Sequence, residues 1–422
     1  MIQGVAKFYR SLREYHASFW TANLSELFER VAFYGMTTIL VLFLTKSRGF
    51  PNSTAIVVGG YFGLFTYGLA AFSGFLADLL GYRRAMLSAY ALLAVGYFLV
   101  VTVQGTVPIL GALLLIAIGA SLIKPSITGT VQKVCTEPQR ALGFSIYYTL
   151  VNIGGFIGPN LGGQIRDRVG VEPVFYCSAA AAALAFLLVL LAFREPAAAA
   201  VGEARKNFGA FLGDFGRVLV NWRLMMLILL VAGFWSMFFQ FYGPLPLYLT
   251  DDLRVSSGVL GFVISLDALA IVCLQVVVGY FVRNLAAGRA IFVAALVAAA
   301  GIAFIGLVPS IWAVAAGILI FSVGEMIYSA HFYRYLGSIA PPDQVGMYMG
   351  FAFLPIALGY FLAGLIGGPV YDFFKNTLHQ PQLMWFVFAA VGVVSAFGLM
   401  LMTALLKGGS GAPRAASGSG AA

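Results

Sequence analysis

The feature that most limits how this chain can fold is a series of about twelve apolar segments, each about 20 residues long. A segment of this length crosses a bilayer as an α-helix, because no water is present there to bond its backbone groups. Only 10% of the residues are charged, against about 25% in soluble domains, so the chain cannot cover a water-facing surface. The sequence predicts an all-α membrane protein with 12 transmembrane helices. Their centres are expected near Thr38, Leu69, Ala94, Ala117, Gly154, Leu184, Ser236, Leu269, Val297, Ile318, Leu358 and Val394.

Basic residues are concentrated in alternate loops between these segments. Arg10, Arg13, Arg83, Arg84 and Arg140 are examples. Loops rich in Lys and Arg stay on the cytoplasmic side, so the pattern predicts a multi-pass protein of the cell (plasma or inner) membrane with both termini in the cytoplasm. The same bias accounts for the net charge of +9, and contact with anionic lipid adds to the explanation, so we expect no nucleic-acid partner.

A polar segment divides the chain into two sets of six apolar segments. We expect an N-terminal six-helix bundle over 1–194, a cytoplasmic linker over 195–222, a C-terminal six-helix bundle over 223–406 and a disordered tail over 407–422. A short amphipathic helix is predicted in the linker, around Phe208 to Val218.

Two loops in corresponding places suggest an internal repeat. Residues 74–84 read GFLADLLGYRR, and residues 279–289 read GYFVRNLAAGR. The first copy resembles the loop signature of the major facilitator superfamily. That resemblance implies two six-helix bundles with a binding site between them near the membrane midplane, and it makes Asp78, Arg83 and Arg84 gating residues.

Three charged residues lie inside the first apolar segment. Glu26, Glu29 and Arg30 are spaced by three and four, which places them on one helical face with Glu26 able to pair with Arg30. The same face continues through Tyr34 and Thr37. Charges at this depth are costly and usually mark a pathway, so we interpret the face as one wall of a transport cavity.

Other isolated charges lie in later apolar segments. Lys124 falls in the fourth, Asp267 in the eighth and Glu325 in the tenth. The cations Arg30 and Lys124 belong to the first half, whereas these two carboxyls belong to the second. A ligand that carries both a carboxylate and an ammonium would bridge the halves.

The same charges suggest proton coupling. Four deep carboxyls face two deep cations, and full ionisation would leave about two negative charges unpaired in a low dielectric, at several kcal/mol each. Desolvation favours a protonated carboxyl and a nearby cation favours an ionised one, so a changing salt bridge can load or release a proton. We therefore predict proton-coupled symport. The predicted proton-coupling residues are Glu26, Glu29, Arg30, Lys124, Asp267 and Glu325.

Several motifs, in order along nearly the whole chain, resemble the proton-coupled oligopeptide transporters. The first-segment motif ELFERVAFYG at 26–35, Lys124-Pro125, FSIYYTLVNIG at 144–154, Gly324-Glu325 and ALGYFLAG at 357–364 are similar to that family's signatures. The chain departs from the pattern at Phe239, where the family often has an acid, and at Asp267, where it has an asparagine. It is also too short to contain two extra helices that many bacterial members insert. We identify it as a divergent, short member.

The resemblance implies roles for particular residues. Arg30 and Lys124 would receive a peptide carboxylate, Glu325 the amino terminus and Asn152 the peptide backbone, and three tyrosines would line the cavity. The acidic function missing at Phe239 is assigned to Asp267. The full set of predicted substrate-binding residues is Arg30, Tyr34, Tyr67, Lys124, Tyr148, Asn152, Trp235, Gln240, Asp267 and Glu325.

The expected function is import of short peptides or related zwitterionic solutes together with protons. A proton-driven antiporter that exports a small amphiphile, drug or metabolite is the main alternative, because direction cannot be read from composition. A membrane-embedded enzyme or sensor is a further alternative, although no catalytic arrangement of Ser, Cys or metal ligands is evident. We expect no cofactor, no metal site and a monomer in the lipid bilayer. Cys135, Cys177 and Cys273 are scattered, which is typical of packing residues.

Overall fold

The computed structural model describes residues 14–195, 208–339 and 351–409. Within these ranges every regular element is helical, as the sequence predicts. The helices are α1 Ala17–Leu42, α2 Asn52–Gly68, α3 Ala70–Leu80, α4 Tyr82–Thr102, α5 Thr106–Val134, α6 Glu137–Val169, α7 Glu172–Ala192, α8 Phe208–Val220, α9 Trp222–Phe239, α10 Pro244–Leu247, α11 Ser257–Val282, α12 Ala287–Leu307, α13 Ile311–Ile339, α14 Leu354–Asp372 and α15 Met384–Gly409.

Eleven helical spans in the described ranges are long and apolar enough to cross a membrane, and a bent pair of helices makes the twelfth. The pair is α2 and α3, which meet at 47°. The predicted centre of this span, Leu69, falls on the break itself. Gly68 directly precedes the break, and glycine is a common site of helix kinks because it lowers helix stability. The prediction of 12 membrane helices is therefore confirmed, with one of them broken.

Two predicted boundaries can be compared with the helices. The amphipathic helix expected in the linker is present as α8, and it runs two residues further than expected, to Val220. The last helix continues to Gly409, so the first residues of the predicted tail are helical. The remainder of that tail, residues 410–422, lies outside the described residues.

The helices pack as two bundles that touch along two pairs of helices. In the first bundle α1 packs on α6 and α7, and in the second α12 packs on α13 and α15. The main contacts between bundles are α6 with α11 and α2 with α14. Glycines permit this approach: a Cβ on Gly60 of α2 would lie only 2.7 Å from the Cα of Gly364 on α14. Small residues at such crossings let membrane helices pack closely.

One end of the interface between bundles is held by polar contacts. Lys46 Nζ lies 2.7 Å from Asp251 Oδ2, which joins the turn after α1 to the turn after α10. The carboxylate of Asp167, near the end of α6, accepts hydrogen bonds from the backbone N–H groups of Ser257 and Gly258, at 2.8 and 2.7 Å. These N–H groups begin α11 and have no partner within their own helix. We call the end of the molecule that carries these contacts the closed end.

Removing the Asp167 carboxylate should open the closed end. Asp167→Ala leaves two N–H groups at the start of α11 without their acceptor, and hydrogen bonds to a charged group contribute about 1.5 kcal/mol or more. We expect the equilibrium to shift about tenfold toward states in which the bundles are separated there. The measurement is the distance between spin labels at Val107 and Leu378, by double electron–electron resonance in a cysteine-free background.

The matched control is Arg168→Ala, one position along the same exposed turn, which should leave the distance distribution unchanged. An identical distribution in the wild type and in Asp167→Ala would show that this carboxylate does not hold the closed end.

Candidate functional site

A cavity of about 180 Å³ lies between the two bundles. Its wall is largely aromatic, and its charged groups within the described residues are Lys124 from the first bundle and Glu325 from the second. Asn152 adds an amide from α6, where its Nδ2 donates to the carbonyl of Tyr148. A mainly apolar pocket with a few convergent polar groups is the usual form of a small-molecule site.

Lys124 projects from the middle of α5, immediately before Pro125. Its Nζ lies 5.4 Å from the ring centre of Tyr67 and 5.6 Å from that of Phe353. Among the described residues it forms no ion pair within 4 Å. Aromatic faces stabilise an ammonium only partly, by about 0.5–2 kcal/mol each. Lys124 therefore retains the capacity to bind a carboxylate that enters the cavity.

A buried ionic cluster lies behind the cavity in α1. Arg30 Nε is 3.3 Å from Glu26 Oε1 and 2.5 Å from Glu29 Oε2, and all three side chains are at most 2% exposed. The ion pair predicted from the spacing of Glu26 and Arg30 is thus present. Lys124 is close enough to act electrostatically on both carboxylates. The cluster therefore lies next to the cavity without lining it.

The position of Arg30 differs from the one expected for a direct substrate contact. We expected its guanidinium to face the substrate, but it does not line the central cavity. It is turned toward its own glutamates and lies beside the rings of Phe33 and Tyr34, at 5.1 and 5.8 Å from their centres. Arg30 shares only a narrow side pocket with Lys124. Of these two cations, Lys124 is the one that lines the central cavity.

A second acidic group lies behind the opposite wall. Glu325 lines the cavity, whereas Asp267 is set behind it and accepts a hydrogen bond from Ser322 at 2.6 Å. The two carboxyl groups are within hydrogen-bonding reach of each other. Glu325 Oε2 has no hydrogen-bond partner among the described residues. Asp267 is thus a neighbour of the predicted ligand group and does not itself line the cavity.

Of the other predicted binding residues, five line the cavity and one does not. Tyr34, Tyr67, Tyr148 and Trp235 line the cavity together with Asn152. Gln240 does not, because it is buried between helices and its Nε2 faces the carbonyl of Ala363 at 3.4 Å. Its role as a ligand contact stays a prediction from the sequence.

Several aromatic residues of the cavity were not predicted as ligand contacts. Tyr242 follows the end of α9, and Tyr328 and Phe332 lie four positions apart on α13. The ring of Tyr360 stacks on Phe239, with 3.6 Å between their centres. Helical spacing of aromatics was the available signal, but it is equally typical of packing between membrane helices.

The predicted loop motif lies at the opposite end from the closed end. Asp78 accepts a hydrogen bond from the phenol of Tyr82 at 3.0 Å, and the Arg83 guanidinium donates to the carbonyl of Leu190. Arg84 is exposed. Sequence reasoning missed Glu195, whose carboxylate accepts from the backbone N–H groups of Tyr82 and Arg83 at the start of α4. An anion at a helix N-terminus is a favourable arrangement, and here it ties the loop to the end of the first bundle.

One protein-family model and several known proteins are similar to this chain. The Major Facilitator Superfamily model matches residues 23–364 and 241–421. Dipeptide and tripeptide permease B of Shigella dysenteriae is 34% identical over 174 residues, which is 40% of this chain. The chain spans only 35% of the length of that permease in the match. The multidrug resistance protein MdtH of Aeromonas salmonicida is 23% identical over 89% of this chain and 93% of its own length.

Solved structures show a similar fold. A POT family transporter in complex with 5-aminolevulinic acid superposes with a TM-score of 0.77 at 18% identity, covering 92% of this chain and 96% of the other. At this identity the likeness shows the fold alone. The permease match, over 40% of this chain, agrees with the resemblance to the oligopeptide transporters that the motifs predicted. The matched proteins are transporters, so a transporter rather than an enzyme is indicated.

The cluster around Arg30 should be essential for stability. Arg30→Met leaves two buried carboxyls without their nearest cation, and breaking a buried ion pair in this way costs about 3–5 kcal/mol. We expect a clearly lower melting temperature for the protein in detergent, and partial recovery in the double variant Arg30→Met with Glu29→Gln. Arg84→Met, at an exposed arginine, is the control. Equal melting temperatures for Arg30→Met and the wild type would contradict this account of the cluster.

Proposed function

This chain belongs to the major facilitator superfamily, and on that premise we propose that it is a proton-coupled symporter that imports di- and tripeptides or related zwitterionic solutes by alternating access. The observation that carries the proposal is the pair of opposite charges in one cavity: Lys124 from the first bundle and Glu325 from the second. A zwitterion satisfies both charges at once and connects the two halves that must move together.

In this proposal each end of the substrate has its own partner. The carboxylate binds the ammonium of Lys124, and the substrate's ammonium binds the free oxygen of Glu325. Asn152 can donate to and accept from a peptide group between them. The aromatic wall contacts substrate side chains without requiring a particular shape, which suits a transporter of many related peptides. Similarity to the dipeptide and tripeptide permease supports the same substrate class.

Proton uptake would follow from binding of the substrate carboxylate. Before binding, Lys124 helps Arg30 to balance Glu26 and Glu29. A substrate carboxylate at Lys124 takes up part of that positive charge. The nearby cluster then holds an excess of negative charge in a low dielectric, and this favours protonation of Glu29. Substrate and proton thus favour each other's binding, which is what symport requires.

The orientation and assembly in the proposal come from the sequence. Basic loops place both termini in the cytoplasm, so the closed end with Lys46 and Asp251 faces the outside. The protein then lies in the inner membrane and acts as a monomer, each chain holding a complete cavity between its own bundles.

Export by proton antiport remains the competing function, and one observation favours it: the match to MdtH covers 89% of this chain, more than the permease match does. Proteoliposomes loaded at higher internal pH separate the two. With the proton gradient directed inward, a symporter of the proposed kind accumulates labelled dialanine. Loss of preloaded dialanine driven by the same gradient would establish the antiporter instead.

Glu29 should be needed for coupling but not for binding. In Glu29→Gln the proposed proton site is lost, while Lys124 and Glu325 remain in the cavity. We expect gradient-driven accumulation of dialanine to fall well below that of the wild type, with counterflow exchange kept within about twofold. Glu137→Gln, at an exposed position at the start of α6, is the matched control. Accumulation that is equal in Glu29→Gln and the wild type would reject Glu29 as the coupling residue.

A further inference from the structure

The buried charges are not evenly distributed between the two bundles. In the first bundle the carboxylates of Glu26 and Glu29 have Arg30 in contact and Lys124 nearby. In the second bundle Asp267 and Glu325 have no cation acting on them among the described residues. The excess of negative charge that the sequence implies is therefore located at the second pair.

The geometry of this pair is unfavourable for double ionisation. Asp267 and Glu325 are 7% and 9% exposed, and their carboxyl groups are within hydrogen-bonding reach of each other. Two negative charges at this range repel each other strongly even where the surroundings partly screen them. A hydrogen bond between two carboxyl groups also requires a proton on one of them. One bound proton removes the repulsion and also supplies the hydrogen bond.

The Ser322 hydroxyl can adapt to either charge state of Asp267. Its Oγ lies 2.6 Å from Asp267 Oδ1 and 2.9 Å from the carbonyl oxygen of Ile318, one turn earlier on α13. A hydroxyl has a single hydrogen and cannot donate to both. When Asp267 is ionised, Ser322 donates to it. When Asp267 is protonated and donates to Glu325, the Ser322 hydroxyl can donate to the carbonyl of Ile318 instead.

The groups that face the pair from neighbouring helices are phenols. The charge of Glu325 acts on the phenols of Tyr34 on α1 and Tyr148 on α6, and the charge of Asp267 acts on that of Tyr242, which follows α9. A phenol is neutral at ordinary pH, so none of these groups replaces the missing cation. The exchangeable charge at this site is the proton itself.

We propose that Asp267 and Glu325 form a carboxyl dyad that binds one exchangeable proton, and that the singly protonated dyad is the acceptor for a primary ammonium on the substrate. This inference rests on the proposed function and adds to it a second proton site, in the other bundle from Glu29. The proton comes from the outer water, is held between the two carboxyl groups, and is released to the inner water after the substrate leaves.

In this arrangement Asp267 carries the exchangeable proton while the substrate is bound. With the proton beside Asp267, Glu325 keeps one negative charge on the oxygen that has no other partner, and one ammonium neutralises it. An asparagine at position 267 would supply the same hydrogen bond permanently, because its amide N–H₂ can donate to Glu325. Aspartate differs only in being able to lose the proton, so its presence provides coupling in addition to binding.

Infrared difference spectra between acidic and alkaline pH test the dyad directly, because a protonated carboxyl has its own C=O stretching band. The reconstituted wild-type protein should show one band that disappears in Asp267→Asn and also in Glu325→Gln, since a single proton is shared. Glu172→Gln, at an exposed helix start, should retain it. Two separate bands, each lost in only one variant, would overturn the shared proton.

Transport stoichiometry tests whether that proton moves with the substrate. In proteoliposomes, the dialanine gradient that exactly opposes a set pH gradient gives the number of protons per substrate. Asp267→Asn should lower this number by one and keep dialanine affinity at acidic pH within about threefold of the wild type. Ser322→Ala, a change at a positioning residue, should shift the pH at which the infrared band titrates but leave the number unchanged. An unchanged number in Asp267→Asn would overturn the dyad as a coupling site.

The two proposals fail in different ways. If the wild type does not accumulate dialanine on an inward proton gradient, the proposed function is wrong, while the infrared band still reports whether the dyad exists. If the wild type accumulates dialanine and the band is missing, the proposed function stands and the dyad is rejected. N-acetyl-dialanine, which has no ammonium, should not compete with dialanine for uptake into proteoliposomes.

Discussion

An unpaired charge inside a membrane protein is costly, and the arrangement of this molecule follows from where its charges find partners. In the first bundle two glutamates pair with one arginine on α1, the helix that packs against α6 and α7. In the second bundle two carboxyls share a site without a cation. The central cavity lies between these groups, with Lys124 on one wall and Glu325 on the other. A ligand that carries both a carboxylate and an ammonium can pair with Lys124 of one bundle and with Glu325 of the other.

The contacts that close one end of the interface differ in kind from those in the cavity. They join helix ends: Lys46 and Asp251 lie on single π-helical turns that extend α1 and α10, and Asp167 holds the first N–H groups of α11. Such turns are frequent at functional positions. These contacts are few and partly exposed, so breaking them costs little compared with disrupting a bundle. The bundles are joined by weak contacts at helix ends and cross closely at glycines between α2 and α14. This arrangement suits a molecule that alternates between a state closed at this end and a state open there.

Much of the fold could be predicted because it depends on local properties of the chain. Segment length and hydropathy gave the membrane helices, and a spacing of four gave the pairing of Glu26 with Arg30. What could not be predicted depends on which way a side chain points between helices. Arg30 and Lys124 are equivalent as sequence features, yet only Lys124 lines the cavity. The same holds for Gln240, which is buried against α14, and for Asp267, which lies one layer behind Glu325. The break at Leu69 was hidden within a continuous apolar segment, and Glu195 gave no signal because its partners are backbone groups.

The central claim is that one zwitterion is held by opposite charges from opposite bundles, and calorimetric binding to the purified protein measures this most directly. Dialanine, its N-acetyl derivative and its C-terminal amide differ only in which charge they carry. The account predicts that dialanine binds, that removing either charge weakens binding by at least about tenfold, and that Lys124→Ala removes the difference between dialanine and its amide. Equal affinity of the wild type for all three compounds would contradict the claim.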